Sequence, residues 1–171
     1  MILQYDTAAN RFYSTKTIPS LPITSWDIFG AHFKNVCACL SETEALDELA
    51  KAQQWSTTVD FSEELLVKEH VIVITDASLK IVYASPNMHK MNGYQPNEVI
   101  GNSPKMFQGA ATNFETSQLI KEAIQERSVF ETELINYRKD GSAYTCWIKG
   151  APIFNKKGKV VNFIAFEREV A

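Results

Sequence analysis

Cysteine is scarce in this chain, with three in 171 residues and no regular spacing between them. That excludes a disulfide scaffold and fits a reducing compartment. Cys37 and Cys39 stand two apart in a stretch that reads as helical, where side chains at that spacing point to nearly opposite faces. They cannot chelate one metal from one turn, and both are expected to be packing residues. His32, His70 and His89 complete no zinc-type spacing with them. An excess of positive charge is also missing: a net charge of -3 gives no electrostatic reason to expect nucleic acid. Nor is there an apolar run of the length a membrane span requires, or a basic start followed by one at the N-terminus. A cytoplasmic protein that binds neither nucleic acid nor membrane is expected. Gly93, Gly101 and Gly109 are too widely spaced to cradle a phosphate, and no Ser-His-Asp or metal pattern stands out, so no enzyme activity is expected.

What is present is ordinary for one sizeable core with an appendage: 45% hydrophobic and 22% charged residues. Residues 1–23 read as an irregular or strand-like arm. Thr24 or Ser25 is expected to cap a first helix carrying Trp26, Phe29, Phe33, Val36, Cys37 and Leu40 at helical intervals. Ser41 with Glu44 forms a capping box, predicting a second helix with Leu46, Leu49, Ala50 and Gln53 on one side. A short third helix through Glu63, Leu65 and Leu66 would be capped by Asp60 or Ser62. From His70 the period changes. The apolar runs Val71 to Thr75 and Lys80 to Ala84 read as a hairpin of two buried strands. Pro86 to Gly93, Pro96 to Val99 and Ser103 to Phe107 suggest short helical turns, and Asn113 can cap a longer helix with Leu119, Ile120, Ala123 and Ile124 inward. Three strands close the chain, Val129 to Arg138, Ala143 to Phe154 and Lys159 to Glu169, joined by turns that supply Gly141 and Gly158.

Two strands, short helices, a longer helix and three strands is the order of a PAS domain. The run GNSPKMFQG from Gly101 to Gly109, followed by NYRKDG from Asn136 to Gly141, resembles the signature of the light-oxygen-voltage (LOV) branch of PAS sensors. In that branch a short helix carries a photoreactive cysteine in a G-x-N-C-R-F-L-Q-G pattern. The resemblance extends over roughly residues 70 to 169, including Val73 to Asp76, Tyr83 to Ser85 and Phe163 to Glu167. It implies an α+β chain: a PAS fold of five antiparallel strands with short helices on one face, plus an N-terminal helical extension. The expected organisation is an arm and helical cap over residues 1–69 and a LOV-like PAS domain over 70–171.

The resemblance also implies site residues. Two arginines that hold the cofactor phosphate in flavin-binding relatives are matched here by Lys105 and Lys121, which keep the charge but not the bidentate fork. Gln108 and Asn136 match residues that hydrogen-bond the isoalloxazine edge. A second edge asparagine is replaced by Cys146, and the glutamine near flavin N5 by Glu167. The cysteine position is Pro104, which has no thiol, so no cysteinyl adduct can form there. Each residue also has a plainer reading: Gln108 and Asn136 as backbone-supporting amides, the lysines as solvated surface charges, Cys146 as a core thiol, and Glu167 as an outward carboxylate. His89 as a haem ligand is outweighed by its reading as an exposed polar residue. The cofactor is left open, with FMN or FAD what the resemblance implies. The expected function is a stand-alone sensory and regulatory PAS module. It would signal by association or dimer rearrangement, as a homodimer through its N-terminal helices and with an unidentified signalling partner. The alternative is a cysteine-less flavoprotein sensing light or redox state. With the chain closing at Ala171, the signal is expected to leave through the N-terminal segment, the exposed sheet face or a partner.

Overall fold

A computed structural model describes the backbone of residues 26–170, with side-chain surroundings at Cys37 and from Cys39 onward. The expected arm, the caps at Thr24 and Ser25, and the packing of Trp26, Phe29, Phe33 and Val36 lie outside the described residues. The chain divides into two compact units, Met1–Asn35 and Val36–Ala171, and the second contains the whole sheet.

Helix α1 runs unbroken from Trp26 to Ala52, so the two helices expected from the capping signal at Ser41 are one. No Pro or Gly interrupts residues 31–52, and a run rich in Ala, Leu and Glu propagates through a cap signature that acts only where the chain enters from an extended conformation. Inside the helix the Thr43 hydroxyl donates back to the Leu40 carbonyl at 2.8 Å. Gln53 lies beyond the helix and is exposed, and Cys37 is exposed while Cys39 is buried, so only one of the two is a packing residue. Glu63–Val67 forms a π-helical turn. Its start is held by Asp60, whose Oδ1 accepts from the Glu63 N–H at 3.1 Å, while Ser62 makes no side-chain cap.

Five strands make up the sheet: β1 (Val71–Asp76), β2 (Ile81–Ala84), β3 (Phe130–Tyr137), β4 (Ala143–Phe154) and β5 (Val160–Val170). All neighbours are antiparallel, in the order β2-β1-β5-β4-β3. Between β2 and β3 lie α2 (Met88–Asn92), α3 (Pro96–Val99), a 3-10 turn (Pro104–Phe107) and α4 (Phe114–Glu126). The first five residues of β1 are buried on both faces, which is why they read as an unbroken apolar run. β2 is an edge strand and leaves Val82 38% exposed, so only β1 of the expected pair is fully buried. Asn113 caps α4, its Oδ1 accepting from the N–H groups of Glu115 and Thr116 at 2.7 and 3.2 Å. Leu119 does not face inward: it is 50% exposed, because α4 packs on the edge strand β3 and buries a narrow stripe through Ile120 and Ala123.

Strand alternation sends side chains to opposite faces and makes two cores. The inner core joins Val71, Val73, Cys146, Leu134 and Tyr144 of the sheet to Met88, Met91, Val99 and Phe107 of the helical run. The outer core joins Ile72, Ile74, Ile153 and Ile164 to Leu46 of α1 and to Trp55 and Phe61. Leu46 is completely buried, which stabilises the fold by about 1.5–3 kcal/mol over an exposed leucine. Polar bonds register this cover. The Trp55 indole N–H donates to Asn162 Oδ1 at 2.9 Å, Asn162 Nδ2 donates to the Thr75 carbonyl at 3.0 Å, and the Tyr83 hydroxyl donates to Glu42 at 2.5 Å.

Candidate functional site

The GNSPKMFQG run is tied to the sheet at both ends. At its start Gly101, with φ of 82°, donates to the Ile81 carbonyl at 2.8 Å while the Asn102 carbonyl accepts from the Ile81 N–H at 2.9 Å. A β-carbon at this φ would be strained. Ser103 accepts from the Lys105 N–H at 3.5 Å and Pro104 opens the 3-10 turn, where the missing proline N–H removes no intrahelical bond. At the end of the run, Gly109 lies against the Tyr137 ring so closely that an added β-carbon would sit 2.5 Å from it. Tyr137 in turn accepts from the Ala111 N–H at 2.8 Å, and Thr112 donates to the Ile135 carbonyl at 2.6 Å. The segment therefore spans from β2 to β3 across the inner face of the sheet.

Register decides which expected site residues meet. Asn136 pairs with Tyr144, Leu134 with Cys146, and Ile148 with Glu167, all on the inner face. Asn136, Cys146 and Glu167 are thus brought together and buried at 5%, 0% and 3% exposure. The reading of Glu167 as an outward carboxylate is thereby excluded. The Cys146 thiol lies 4.0 Å from Glu167 Oε2. Gln108 is half-buried at the end of the 3-10 turn, while Lys105 and Lys121 are exposed and, among the described residues, form no ion pair. His89 is exposed, with Nδ1 3.2 Å from the Gly93 carbonyl, as its plainer reading has it.

The interior is polar in a way the sequence did not show. Four buried atoms here, Asn92 Nδ2, Asn136 Oδ1, Arg138 Nη1 and Tyr144 Oη, have no hydrogen-bond partner among the described residues. Asn92 is the last residue of α2. Gly93 ends that helix in the left-handed region at φ of 79°, the Asn92 carbonyl accepts from the Lys139 N–H at 3.0 Å, and its Oδ1 accepts from the Tyr94 N–H at 3.1 Å. These contacts fix the amide and leave Nδ2 free. Arg138 stacks 4.6 Å over the Tyr144 ring and reaches Glu169 through Nη2 at 2.7 Å. Neither Asn92 nor Tyr144 was singled out from the sequence. An asparagine before a helix-ending glycine reads as a terminus, and a tyrosine in a strand reads as core.

Burial sets the protonation of these groups. The Glu167 carboxyl is pushed up to about 7 because it is out of water with no cation to offset the loss. Burial pushes the Cys146 thiol far above its usual range, and neighbouring Glu167 adds to the effect. It is a neutral thiol and a poor nucleophile. Burial likewise raises Tyr144, neighbouring Cys146 and Glu167 add to the effect, and hydrogen bonding from the Asn92 and Asn136 side chains works the other way. Below neutral pH the inner face carries a protonated acid, a thiol, a phenol and two amides, with the Arg138 guanidinium over the phenol ring. Among the described residues no group of three His, Cys, Asp or Glu side chains is arranged to hold a metal ion.

A five-stranded antiparallel sheet in the order β2-β1-β5-β4-β3, with short helices and one longer helix between β2 and β3 covering its inner face, is the architecture of the PAS class of sensory modules. Comparison with known proteins agrees. The PAS domain family matches residues 69–171. Protein TWIN LOV 1 of Arabidopsis thaliana is 40% identical over 114 residues, 64% of this chain and 29% of that protein. The nitrogen fixation regulatory protein of Klebsiella oxytoca is 28% identical over 100 residues, 58% of this chain and 20% of that protein. The chain therefore spans less than a third of the length of these relatives. Among solved structures, the dark structure of the blue-light photoreceptor Aureochrome1 LOV aligns with a TM-score of 0.61 and 28% identity, covering 68% of this chain and 86% of that one. The chain belongs to the PAS domain family, and it is similar in sequence and fold to LOV domains.

Proposed function

We propose that this PAS module acts by protein association or dimer rearrangement in response to a ligand held on the inner face of its sheet. The observation that carries this reading is the set of buried, unpartnered polar atoms there. Buried donors and acceptors are paired in the great majority of cases, and each one left unmade costs about 1–3 kcal/mol. Several on one face are a standing cost that a bound ligand removes. Three free thiols and, among the described residues, no helix long and apolar enough to cross a membrane fit a cytoplasmic role. The signalling partner is a further protein.

The same atoms favour a flavin, FMN or FAD, as that ligand. Asn136 keeps an unpaired acceptor, Gln108 a half-buried amide, and Glu167 is a neutral acid up to about pH 7 that offers a donor and an acceptor in place of an amide. Cys146 would pack beside the ring, and exposed Lys105 and Lys121 would meet its phosphate. When bound, a flavin supplies blue-light absorption and electron uptake. Around it the chain supplies a buried edge, a proton on Glu167 and exclusion of water, and Pro104 leaves the 3-10 turn without a thiol. The test is the absorption spectrum of the protein after incubation with FMN and removal of the excess. Retention with a structured blue band supports the reading, and a colourless protein overturns it. Replacing Lys105 and Lys121 together by alanine should weaken FMN at least tenfold and leave riboflavin, which has no phosphate, unchanged. Equal loss of both ligands would remove the lysines from the site.

A further inference from the structure

Residues 60–70 form a strap that leads into β1, and one histidine seats its end on the outer face of the sheet. His70 is 9% exposed, with its ring 5.1 Å from the Trp147 ring on β4 and 6.4 Å from Phe166 on β5. Its Nδ1 stands 2.7 Å from Glu64 Oε2, and the other oxygen of that carboxylate accepts from Lys68 Nζ at 2.7 Å. Burial pushes the Glu64 carboxyl up, but hydrogen bonds from Lys68 and His70 and the charges behind them outweigh it and hold the group below the usual carboxylate range. Glu64 is therefore an anion at neutral pH. The strap's backbone is wound in two uncommon conformations. Glu63–Val67 is π-helical, and Glu69 has φ of 54°, in the left-handed region that residues other than glycine rarely adopt. The His70 N–H donates to the Glu64 carbonyl at 2.9 Å, and Asn87 Nδ2 donates to the His70 carbonyl at 2.9 Å. A segment wound in this way keeps its shape only while its surroundings hold it.

We propose that His70 and Glu64 form a pH-sensitive clasp, which tightens the strap on the outer face of the sheet when the imidazole takes up a proton. Histidine is the side chain that changes charge near neutrality. A neutral imidazole gives Glu64 one N–H bond, whereas a protonated one gives a charge-assisted bond and sets a cation beside the Trp147 ring. The other charges stand further back. On the strap, Lys68 bridges Glu64 to Glu63, 3.4 Å away, and Glu69 is exposed. On the sheet, Arg168 of β5 lies 5.2 Å over the Trp147 ring, and Glu131 of β3 accepts from the Trp147 indole N–H at 3.2 Å. Lys149 of β4 is 3.9 Å from Glu131, and Glu133 is the cross-strand neighbour of Trp147. Asn87, which reaches the strap from the start of α2, is uncharged. Among the described residues Glu64 is the only charged group bonded to the imidazole, so it sets the sign and acidification strengthens the clasp. Raising the pH weakens it, and Trp147 and Phe166 lose hold of the ring that covers them. The clasp lies on the face opposite Glu167 and requires no ligand there.

Tryptophan fluorescence reads the clasp, because an imidazolium quenches a neighbouring indole more strongly than a neutral imidazole does. Emission of the wild-type protein should fall in one step as the pH is lowered across the range of about 8 to 5. The step should persist in Glu167→Gln, which removes the inner acid. It should vanish in Trp147→Phe and in His70→Gln, which keeps a hydrogen-bond donor without the titration. In Glu64→Gln it should move to lower pH, because the anion that favours the imidazolium is gone. Hydrogen exchange, corrected for the intrinsic pH dependence of the reaction, should show the Lys68 and His70 amides about 3- to 10-fold better protected at the acid end, the difference between a charged and a neutral hydrogen bond. Glu64→Gln should abolish that gain. Circular dichroism establishes that each variant is folded. A flat wild-type emission, which needs no variant, overturns the proposal. So does a step that survives in His70→Gln, or protection that is equal at both ends of the range or rises equally in Glu64→Gln.

Discussion

Glu167 holds its proton through the acid range because its carboxylate has no water and no cation. Below about pH 4.5 both folded and unfolded chains carry a neutral carboxyl, and this position takes nothing from stability. As pH rises from 4.5 toward 7 the unfolded chain releases the proton while the folded chain keeps it, so stability falls. Above 7 the folded carboxyl ionises too and the loss is complete, at roughly 3 kcal/mol. Urea denaturation of wild type and Glu167→Gln at a series of pH values should show this decline in wild type alone, and parallel curves would refute the buried acid. Gly109 makes a second residue-scale prediction. A β-carbon would press on the Tyr137 ring at 2.5 Å, so Gly109→Ala should cost about 1–3 kcal/mol in the same assay. Gly101, in the left-handed region at φ of 82°, has open space around it, and its cost is conformational alone.

At the scale of elements, α1 and the segment through Phe61 seal the outer face of the sheet. Leu46 sits in that seam with no exposure, and Leu46→Ala should lower stability by about 2–5 kcal/mol by leaving a cavity between helix and strands. A shift of the urea midpoint smaller than a surface substitution gives would show the helix to be undocked in solution. The strands and their turns were legible in the sequence. Val71 to Thr75 announced a strand covered on both faces, and the glycines at 141 and 158, with φ of 86° and 75°, marked the hairpins. The continuity of α1 was not legible, because a capping box is a local signature and cannot report that the preceding turn is already helical. Leu119 was misplaced for a similar reason: its hydrophobicity is intrinsic, while the width of the buried stripe depends on the strand that α4 meets.

For the whole molecule, the docking of Leu46, Leu49 and Trp55 on the chain's own sheet means these side chains are not free for a partner. The homodimer proposed through the N-terminal helices would then depend on the part of α1 before Val36. Light scattering across a wide concentration range should give twice the chain mass, and a monomer throughout would end that proposal. Family and the succession of strands and helices along the chain follow from the sequence, because period-two alternation and turn residues are local and the signature from Gly101 to Gly109 is contiguous, whereas strand register put Asn136, Cys146 and Glu167 on one inner face. Tertiary structure alone decided that Asn92, at the end of a five-residue helix, and Arg138, one residue past a strand, reach the same buried tyrosine. Residues 92 and 144 are brought side by side by a sheet closing over its helices. Whether a polar atom there finds a partner depends on distances of a few tenths of an ångström, which no pattern along the chain encodes.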